Sequence, residues 1–571
     1  MTAQANITDG ELVDTSAFFA PMSADLVDSL IGEYGQMRQR IERLAGAVRA
    51  ENAGTVLHYF IEGNVQDQRY SMPTTVDALF RVEGAIAQLN ADFWNRALRL
   101  TDVMDYMPQA RRDEWHDQIR NPEGRKASRH TGEKDMPALP EFEEATVRST
   151  LAGLLHNRSQ FLAERVDGIF RALSRAHVTN QPQGFGKRMI IANVHGYQTA
   201  GHINDLRCVI AKFMGRDEPK HGATDPVIKA GGRQNGEWMP VDGGALRIRV
   251  YGGVGTAHLE VHPDMAWRLN AILASLYPLA IPAEFRTKPK RQKKIKDFDL
   301  FDRPLPFAVV QLLAEMREVR ERIEPAWPER YRAVPNAREF GYGEKDKAAL
   351  AEAEKVLMAI GAVKDGRHWQ FDYDPTEVLD LVVCSGCIPD QKSHQFYPTP
   401  QAVAEFAVSV AEIDDHHGVL EPSAGIGGLA DYLPKLQTTC VEISPLHCQV
   451  LEAKGFKVVE ADFLKWAPGQ PAADRIVMNP PYSEGRWQAH LQVAADMLKP
   501  DGRLVAILPA SAKGKDLLPG WSMEWARTFD NEFAGTSVSV VVLIAQRASA
   551  KDQLDIFNDA LLDAEQQEGA E

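Results

Sequence analysis

Long apolar runs are missing from this chain of 571 residues. The longest, Val538 to Ala545, is broken by Ser539 and falls far short of the roughly 20 residues that a membrane-spanning helix needs. The amino terminus, MTAQANITDGELVDT, has neither a basic n-region nor an apolar h-region, so no secretory leader is expected. Cysteine is scarce. Cys208, Cys384, Cys387, Cys440 and Cys448 form an odd set of five, which suits a reducing cytoplasm and argues against a disulfide framework. Cys384-Ser385-Gly386-Cys387 has no second pair to complete four ligands, even with His394 nearby, so it reads as a turn and no metal is expected. Positive charge is in deficit too. A net charge of −15 excludes nucleic-acid binding over the whole surface and leaves only a local basic patch for that purpose. No P-loop G-K-[ST] and no dinucleotide G-x-G-x-x-G is present.

What is present divides the chain into several domains, as its length requires. Residues 1–180 read as mainly helical. Leu26, Leu30, Tyr34, Met37, Ile41 and Leu44 recur at helical spacing, as do Ile86, Leu89, Phe93, Leu98 and Val103, and a further helix is expected over about 140–176. Residues 181–300 read as a small α/β domain, with strands at MIIANV, ALRIRVY and AHLEVH. It ends in a basic strip of Arg286, Lys288, Lys290, Arg291, Lys293, Lys294 and Lys296, seven cations in eleven residues. Lys288, Lys290, Arg291, Lys293 and Lys294 are the candidate phosphate contacts, and a solvated linker is the alternative. Residues 301–390 read as a helical connector, its helix running from Phe307 past Ile323, with a wing-like hairpin at GAVKDGRHWQFDYDP. Residues 391–550 carry the chemistry, and 551–571 form an acidic tail.

Three strand ends stand out in 391–550. Val419-Leu420 runs into Glu421-Pro422-Ser423-Ala424-Gly425-Ile426-Gly427-Gly428, a strand, a glycine turn and then a helix. The glycines allow a tight turn and let a ligand approach the backbone. The strand from Thr438 ends at Glu442, 15 residues beyond Gly427, where a carboxylate can accept both hydroxyls of a ribose. A third strand ends at Asp462-Phe463, an acceptor for an adenine amine beside an aromatic ring. Arg475–Met478 then leads into Asn479-Pro480-Pro481-Tyr482. The two prolines end the strand at once and present two acceptors, the Asn479 amide oxygen and the Pro480 carbonyl, with Tyr482 as a stacking face. That set suits a flipped-out aminopurine.

Phe396-Tyr397-Pro398-Thr399-Pro400, Glu421–Gly428 and Asn479–Tyr482, in this order and spacing, resemble motifs of the class I S-adenosylmethionine-dependent methyltransferases that modify DNA adenine at N6. Leu504–Pro509 resembles the family's fifth strand, and Thr536–Gln546 the last strand of its reversed hairpin. The remainder resembles, more loosely, an uncharacterised domain fused to such enzymes in phages and plasmids. The resemblance implies a multidomain α/β protein with a Rossmann-like carboxyl-terminal sheet behind a helical region and a small α/β domain. It implies S-adenosylmethionine as cofactor. Phe396, Thr399 and Pro400 would wall it; Glu421, Pro422, Ser423, Ala424, Gly425 and Gly427 would hold its methionine end; Glu442 would hold the ribose; Asp462 and Phe463 would hold the adenine. Asn479, Pro480, Pro481 and Tyr482 would hold the target base of a double-stranded DNA partner in the cytoplasm, with no membrane involved.

Within this chemistry, C5-cytosine transfer is disfavoured because no cysteine follows a proline, and Asn479 stands where N4-cytosine enzymes usually carry serine. RNA and protein-glutamine methyltransferases share the tetrapeptide and are the alternatives, together with a non-catalytic nucleic-acid-binding protein that keeps the fold. Only 89 residues follow Tyr482, too few for the recognition domain that related DNA enzymes place there, so recognition is expected either to fall to residues 1–390 or to be nearly absent.

Overall fold

The computed structural model describes residues 24–50, 54–64, 75–127, 135–220, 222–288, 304–324, 330–343, 345–388, 397–482, 485–533 and 538–547. Lys290, Arg291, Lys293 and Lys294 of the basic strip, Phe396, His394 and the acidic tail lie outside them. The chain forms two compact units, Met1–Leu300 and Phe301–Glu571. Among the described residues no helix is long and apolar enough to cross a membrane.

The first unit opens with helices. Val27, Leu30 and Tyr34 from Ala24–Ala50 pack with Phe93, Trp94 and Ala97 from Val82–Arg99 and with Phe142 and Leu151. The polar group drawn into this core is satisfied: Asn90 Oδ1 accepts from the Tyr34 hydroxyl at 2.7 Å and from the Phe142 amide at 3.1 Å. The single helix expected over 140–176 is two, Glu144–His156 and Arg158–Ala172. Between them Asn157 leaves helical geometry at φ −87°, ψ 7°, and its side chain donates to the Gly153 carbonyl at 2.8 Å. Asparagine competes with the helical ladder in this way.

A four-stranded antiparallel sheet follows, built from β1 (Arg188–Ala192), β2 (Met239–Val241), β3 (Leu246–Tyr251) and β4 (Thr256–Val261) in the order β1-β4-β3-β2. Ile248 and Val250 point to the helix Thr224–Arg233, whose Gly231 has no room for a side chain; a Cβ there would lie 2.9 Å from Val250. Arg247, Arg249 and Tyr251 alternate to the other face and are half-buried.

The second unit begins with the helices Phe307–Ala314, Lys347–Ala359 and Thr376–Ser385 packed around Trp369, Phe371 and Tyr373. The helix expected from Phe307 past Ile323 stops at Ala314, and Arg317–Glu324 is instead strand β5. Val319 and Ile323 lie four residues apart, a spacing that places two side chains together on a helix and equally on a strand, so periodicity could not separate the two. The expected helical connector therefore holds a second antiparallel sheet, in the order β5-β6-β8-β7, with β6 Arg330–Glu339, β7 Val363–Asp365 and β8 His368–Gln370. The stretch expected as a wing supplies β7 and β8.

Seven strands complete the unit: β9 (Val419–Pro422), β10 (Thr438–Glu442), β11 (Lys457–Glu460), β12 (Ala473–Met478), β13 (Leu498–Pro509), β14 (Trp521–Phe529) and β15 (Val540–Arg547). Their order is β11-β10-β9-β12-β13-β15-β14. The first five are mutually parallel and β15 is antiparallel to both of its neighbours. Both faces are buried, as a sheet covered by helices on two sides requires. Ile476, Met478, Leu504, Ala506, Leu508, Val541 and Leu543 share one core, while Val477, Val505, Ile507, Val540 and Val542 share the other. Five parallel strands flanked by a reversed carboxyl-terminal hairpin make this a Rossmann-like class I methyltransferase fold attached to a helical region, as the sequence led us to expect.

Candidate functional site

The chain runs outward from β9 through β10 to β11, then returns to start β12 on the other side of β9. The carboxyl ends of β9 and β12 therefore meet at a topological switch point, where open α/β sheets leave a crevice. Ile476 pairs with Leu420, which sets Asn479 level with Ser423 in the register of the two strands.

The loop after β9 is bent by excursions into the left-handed region at three alternate residues, Ser423 (φ 62°), Gly425 (φ 58°) and Gly427 (φ 92°). Glycine adopts this region freely; a serine there is strained, a feature that gathers at functional sites. Gly428 is required for a different reason. A Cβ on it would lie 3.0 Å from the Thr399 backbone nitrogen, so the 397–400 segment can close on the loop only over a glycine. Pro400 then begins the helix Gln401–Ser409.

Glu442, at the end of β10, ties the loop down. Its Oε2 accepts from the Gly425 amide at 2.8 Å, and its Oε1 accepts from the Ile443 and Ser444 amides, each at 2.8 Å. Burial pushes its carboxyl pKa up, but His447 and the backbone donors outweigh that and hold it below the usual range. Glu421 is the opposite case. It is 2% exposed, and its Oε2 is buried with no hydrogen-bond partner among the described residues. Burial first, then Asp431 and Glu442, push its pKa well up, against Lys454. The two carboxyls are therefore driven apart, Glu442 toward the anion and Glu421 toward the neutral acid. Lys454 pairs beneath the loop with Asp431 at 2.6 Å and Asp372 at 3.1 Å.

Asp462 caps the helix Phe463–Trp466, accepting from the Leu464 amide at 3.2 Å, and pairs with Lys465 at 2.8 Å. Phe463 is core, packed among Leu420, Val441 and Ile476. Pro422 ends β9 inside the sheet, and Ala424 is buried in the loop.

At the end of β12, Asn479 Nδ2 donates to Thr399 Oγ1 at 3.0 Å, while its Oδ1 accepts from the Tyr482 hydroxyl at 2.9 Å. The same hydroxyl also lies 3.3 Å from the Ile507 carbonyl, and the Tyr482 ring packs against the cores on both faces of the sheet. Burial pushes its pKa up. In this conformation Tyr482 is a buttress of Asn479, whereas the sequence suggested an open stacking face. A carboxamide oxygen has two lone pairs, so the Asn479 acceptor keeps capacity for a second donor. Pro480 is buried and Pro481 half-buried. Lys288 is described and belongs to the first unit.

His490, on the helix Arg486–Asp496, was not anticipated. It is 5% exposed, its Nδ1 lies 3.4 Å from Ser423 Oγ, and its ring centroid lies 5.3 Å from that of Phe463. No motif marks it; only its place on the helix after the tetrapeptide points that way. Burial lowers its pKa to about 4; Asp462 opposes the shift and Arg486 adds to it. Between the ordinary value of 6.5 and about 4 the unfolded chain takes up a proton that the folded chain refuses, so stability falls as pH falls through this window. His490→Gln is expected to lose that part of the acid sensitivity. Melting temperatures measured from neutrality down to about the folded value would show the wild type falling faster. Parallel curves would place His490 in solvent.

Far from the crevice, at the amino end of β9, Asp414, His416 and His417 have ligand atoms within 4.8 Å of one another. His417 Nδ1 already accepts from the Asp414 amide at 3.0 Å.

Residues 86–279, in the first unit, match the model of a family described as a domain of unknown function, DUF4942. No curated protein matches the chain. Among solved structures it is similar to TrmN from Thermus thermophilus, at 19% identity over 25% of this chain and 48% of that one, with a TM-score of 0.22. It is also similar to a precorrin-6y C5,15-methyltransferase from Geobacter metallireducens, at 18% identity over 26% and 87% with a TM-score of 0.22. A third likeness is the 23S rRNA methyltransferase ErmE, at 20% identity over 27% and 70% with a TM-score of 0.23. The chain thus spans about half the length of the TrmN structure, 48%.

Proposed function

We propose that the carboxyl-terminal unit transfers a methyl group from S-adenosylmethionine to the N6 amine of adenine in DNA. The observation that carries the reading is Asn479, whose carboxamide oxygen stands at the carboxyl end of β12, level with the glycine loop at the switch point of the sheet. The residues present fit the cofactor. An unpartnered buried carboxyl (Glu421), a loop of left-handed turns and an anchored carboxylate (Glu442) suit a ligand with an ammonium group and a pair of ribose hydroxyls. Glu421 and the 423–427 loop would hold the methionine end, Glu442 the ribose, and Asp462 the adenine. When bound, the cofactor supplies an electrophilic methyl group on a sulfonium.

The chain's own residues do the rest. Thr399 orients the Asn479 carboxamide by accepting from its nitrogen, which fixes the amide so that its oxygen is the acceptor end. That oxygen and the Pro480 carbonyl accept from the two N–H bonds of the target amine. Accepting from both draws the nitrogen lone pair out of conjugation with the ring and stabilises the positive charge that grows on nitrogen, by preorganised dipoles. Tyr482 holds Asn479 in place and, on release from its buttress position, offers its ring to the flipped base. Transfer needs neither a metal nor a covalent nucleophile from the chain.

Mass spectrometry of nucleosides from DNA and RNA of cells expressing the protein tests the reading, with Asn479→Ala as control. N6-methyladenine in DNA, lost in the variant, is the expected result. The same mark confined to RNA would transfer the activity to RNA. No nucleoside change in either, with methyl label appearing on a protein amide, would overturn the nucleic-acid reading.

A further inference from the structure

One face of the first unit's sheet concentrates three arginines around a single indole. Arg247 and Arg249 on β3 and Arg188 on β1 place their guanidinium carbons 4.8, 4.8 and 5.3 Å from the ring centroid of one indole, Trp238. Among the described residues the carboxylate paired with these like charges, through Arg188 and Arg247, is Glu260 on β4, which is 2% exposed. Glu260 Oε1 accepts from Arg188 at 2.8 Å, and its Oε2 lies 3.5 Å from Arg247. Arg249 approaches the Tyr251 hydroxyl at 3.3 Å, and its Nε is buried with no hydrogen-bond partner among the described residues. The strand register sets these groups side by side: Arg188 and Arg247 both oppose Glu260, and Arg249 opposes His258. Tyr251 and His177 flank His258, with centroids at 5.0 and 6.5 Å. Burial, then Arg188, His177 and Arg249, lower the His258 pKa, as a positive neighbourhood does.

We infer that this sheet face, centred on Arg188, Arg247, Arg249 and Trp238, binds the sugar-phosphate backbone of the nucleic acid that the second unit methylates. The inference rests on the proposed function for its choice of a nucleic-acid substrate. Charge complementarity selects the occupant. A polyanion approaching a chain of net charge −15 needs a local excess of cations, and here three arginines outnumber one acid. Guanidinium groups bind phosphate through two parallel hydrogen bonds, and contact with the Trp238 ring restrains these side chains before a ligand arrives. Tyr251 and His258 add flat faces of the kind that support unpaired bases.

Fluorescence anisotropy of the full chain over a salt series tests this, with fluorescein-labelled DNA duplex, DNA single strand and RNA single strand as probes. Arg188→Ala with Arg249→Ala is expected to weaken binding at least tenfold and to flatten the log–log salt slope by about 0.9 per lost duplex phosphate contact. Glu260→Gln, which removes the one carboxylate while keeping its shape, is expected to tighten binding, a gain that a merely structural role would not produce. Thermal melts would confirm that the variants fold. Wild-type affinity and slope in the double variant, or unchanged affinity in Glu260→Gln, would overturn the inference and leave methyl transfer, read separately by nucleoside mass spectrometry, untouched. Failure of the wild type to bind any of the three probes would overturn it as well. The probe bound most tightly distinguishes duplex from single strand and DNA from RNA.

Discussion

Asn479→Ala is expected to transfer methyl groups about a hundredfold to a thousandfold more slowly than the wild type, the usual cost of removing one preorganised polar contact from a developing charge. The loss should fall on the transfer step, because the role proposed for the carboxamide is on the target amine as charge grows there. Affinity for S-adenosylmethionine should stay near normal, since the glycine loop and Glu442 are untouched. The structure adds a modest cost in stability. The side chain makes two hydrogen bonds, to Thr399 and from Tyr482, each worth about 0.5–1.5 kcal/mol. Tyr482 keeps the Ile507 carbonyl as an acceptor, so the tyrosine is not stranded. Single-turnover methylation of adenine-containing duplexes, cofactor titration and thermal melts give the three readings. A wild-type transfer rate would reduce the tetrapeptide to a turn.

Glu442→Ala should be damaging in a different way. The carboxylate is 6% exposed and is the acceptor for three amides, those of Gly425, Ile443 and Ser444. Hydrogen bonds to a charged group are worth roughly 1.5–3 kcal/mol each, and a buried donor left without a partner costs about 1–3 kcal/mol. The variant should melt well below the wild type, and its affinity for S-adenosylmethionine should fall about tenfold to a hundredfold through loss of the proposed ribose contacts. Because this carboxyl is held below its ordinary value of 4.5 in the folded chain, its contribution is present above that pH and disappears as pH falls through the folded value. The melting gap between wild type and variant should therefore close in acid. Calorimetric titration and melts against pH check both parts, and a variant with normal melting and normal affinity would remove Glu442 from the site.

Much of the second unit was legible in the sequence because its signals are local. A β-branched run ended by two prolines can only stop, so Asn479 at a strand end follows from composition alone. Ser423 to Gly428 reads as a turn for the same reason. Signals that two structures share were not decidable. The four-residue spacing of Val319 and Ile323 satisfies a helix and a strand equally, and pairing with β6 across a hairpin settles it as a strand.

The sequence by itself determined which residues end strands in the second unit and that glycines bend the first of those ends. Only the tertiary structure decided what these residues touch. Thr399 meets both Gly428 and Asn479, Tyr482 turns its ring inward, His490 reaches Ser423, and three arginines converge on Trp238. Apart from the Asn479–Tyr482 hydrogen bond within the tetrapeptide, those contacts join segments separated in the chain. They depend on strand order and register, and parallel strands joined by long crossovers carry no local signal of which neighbour they will take.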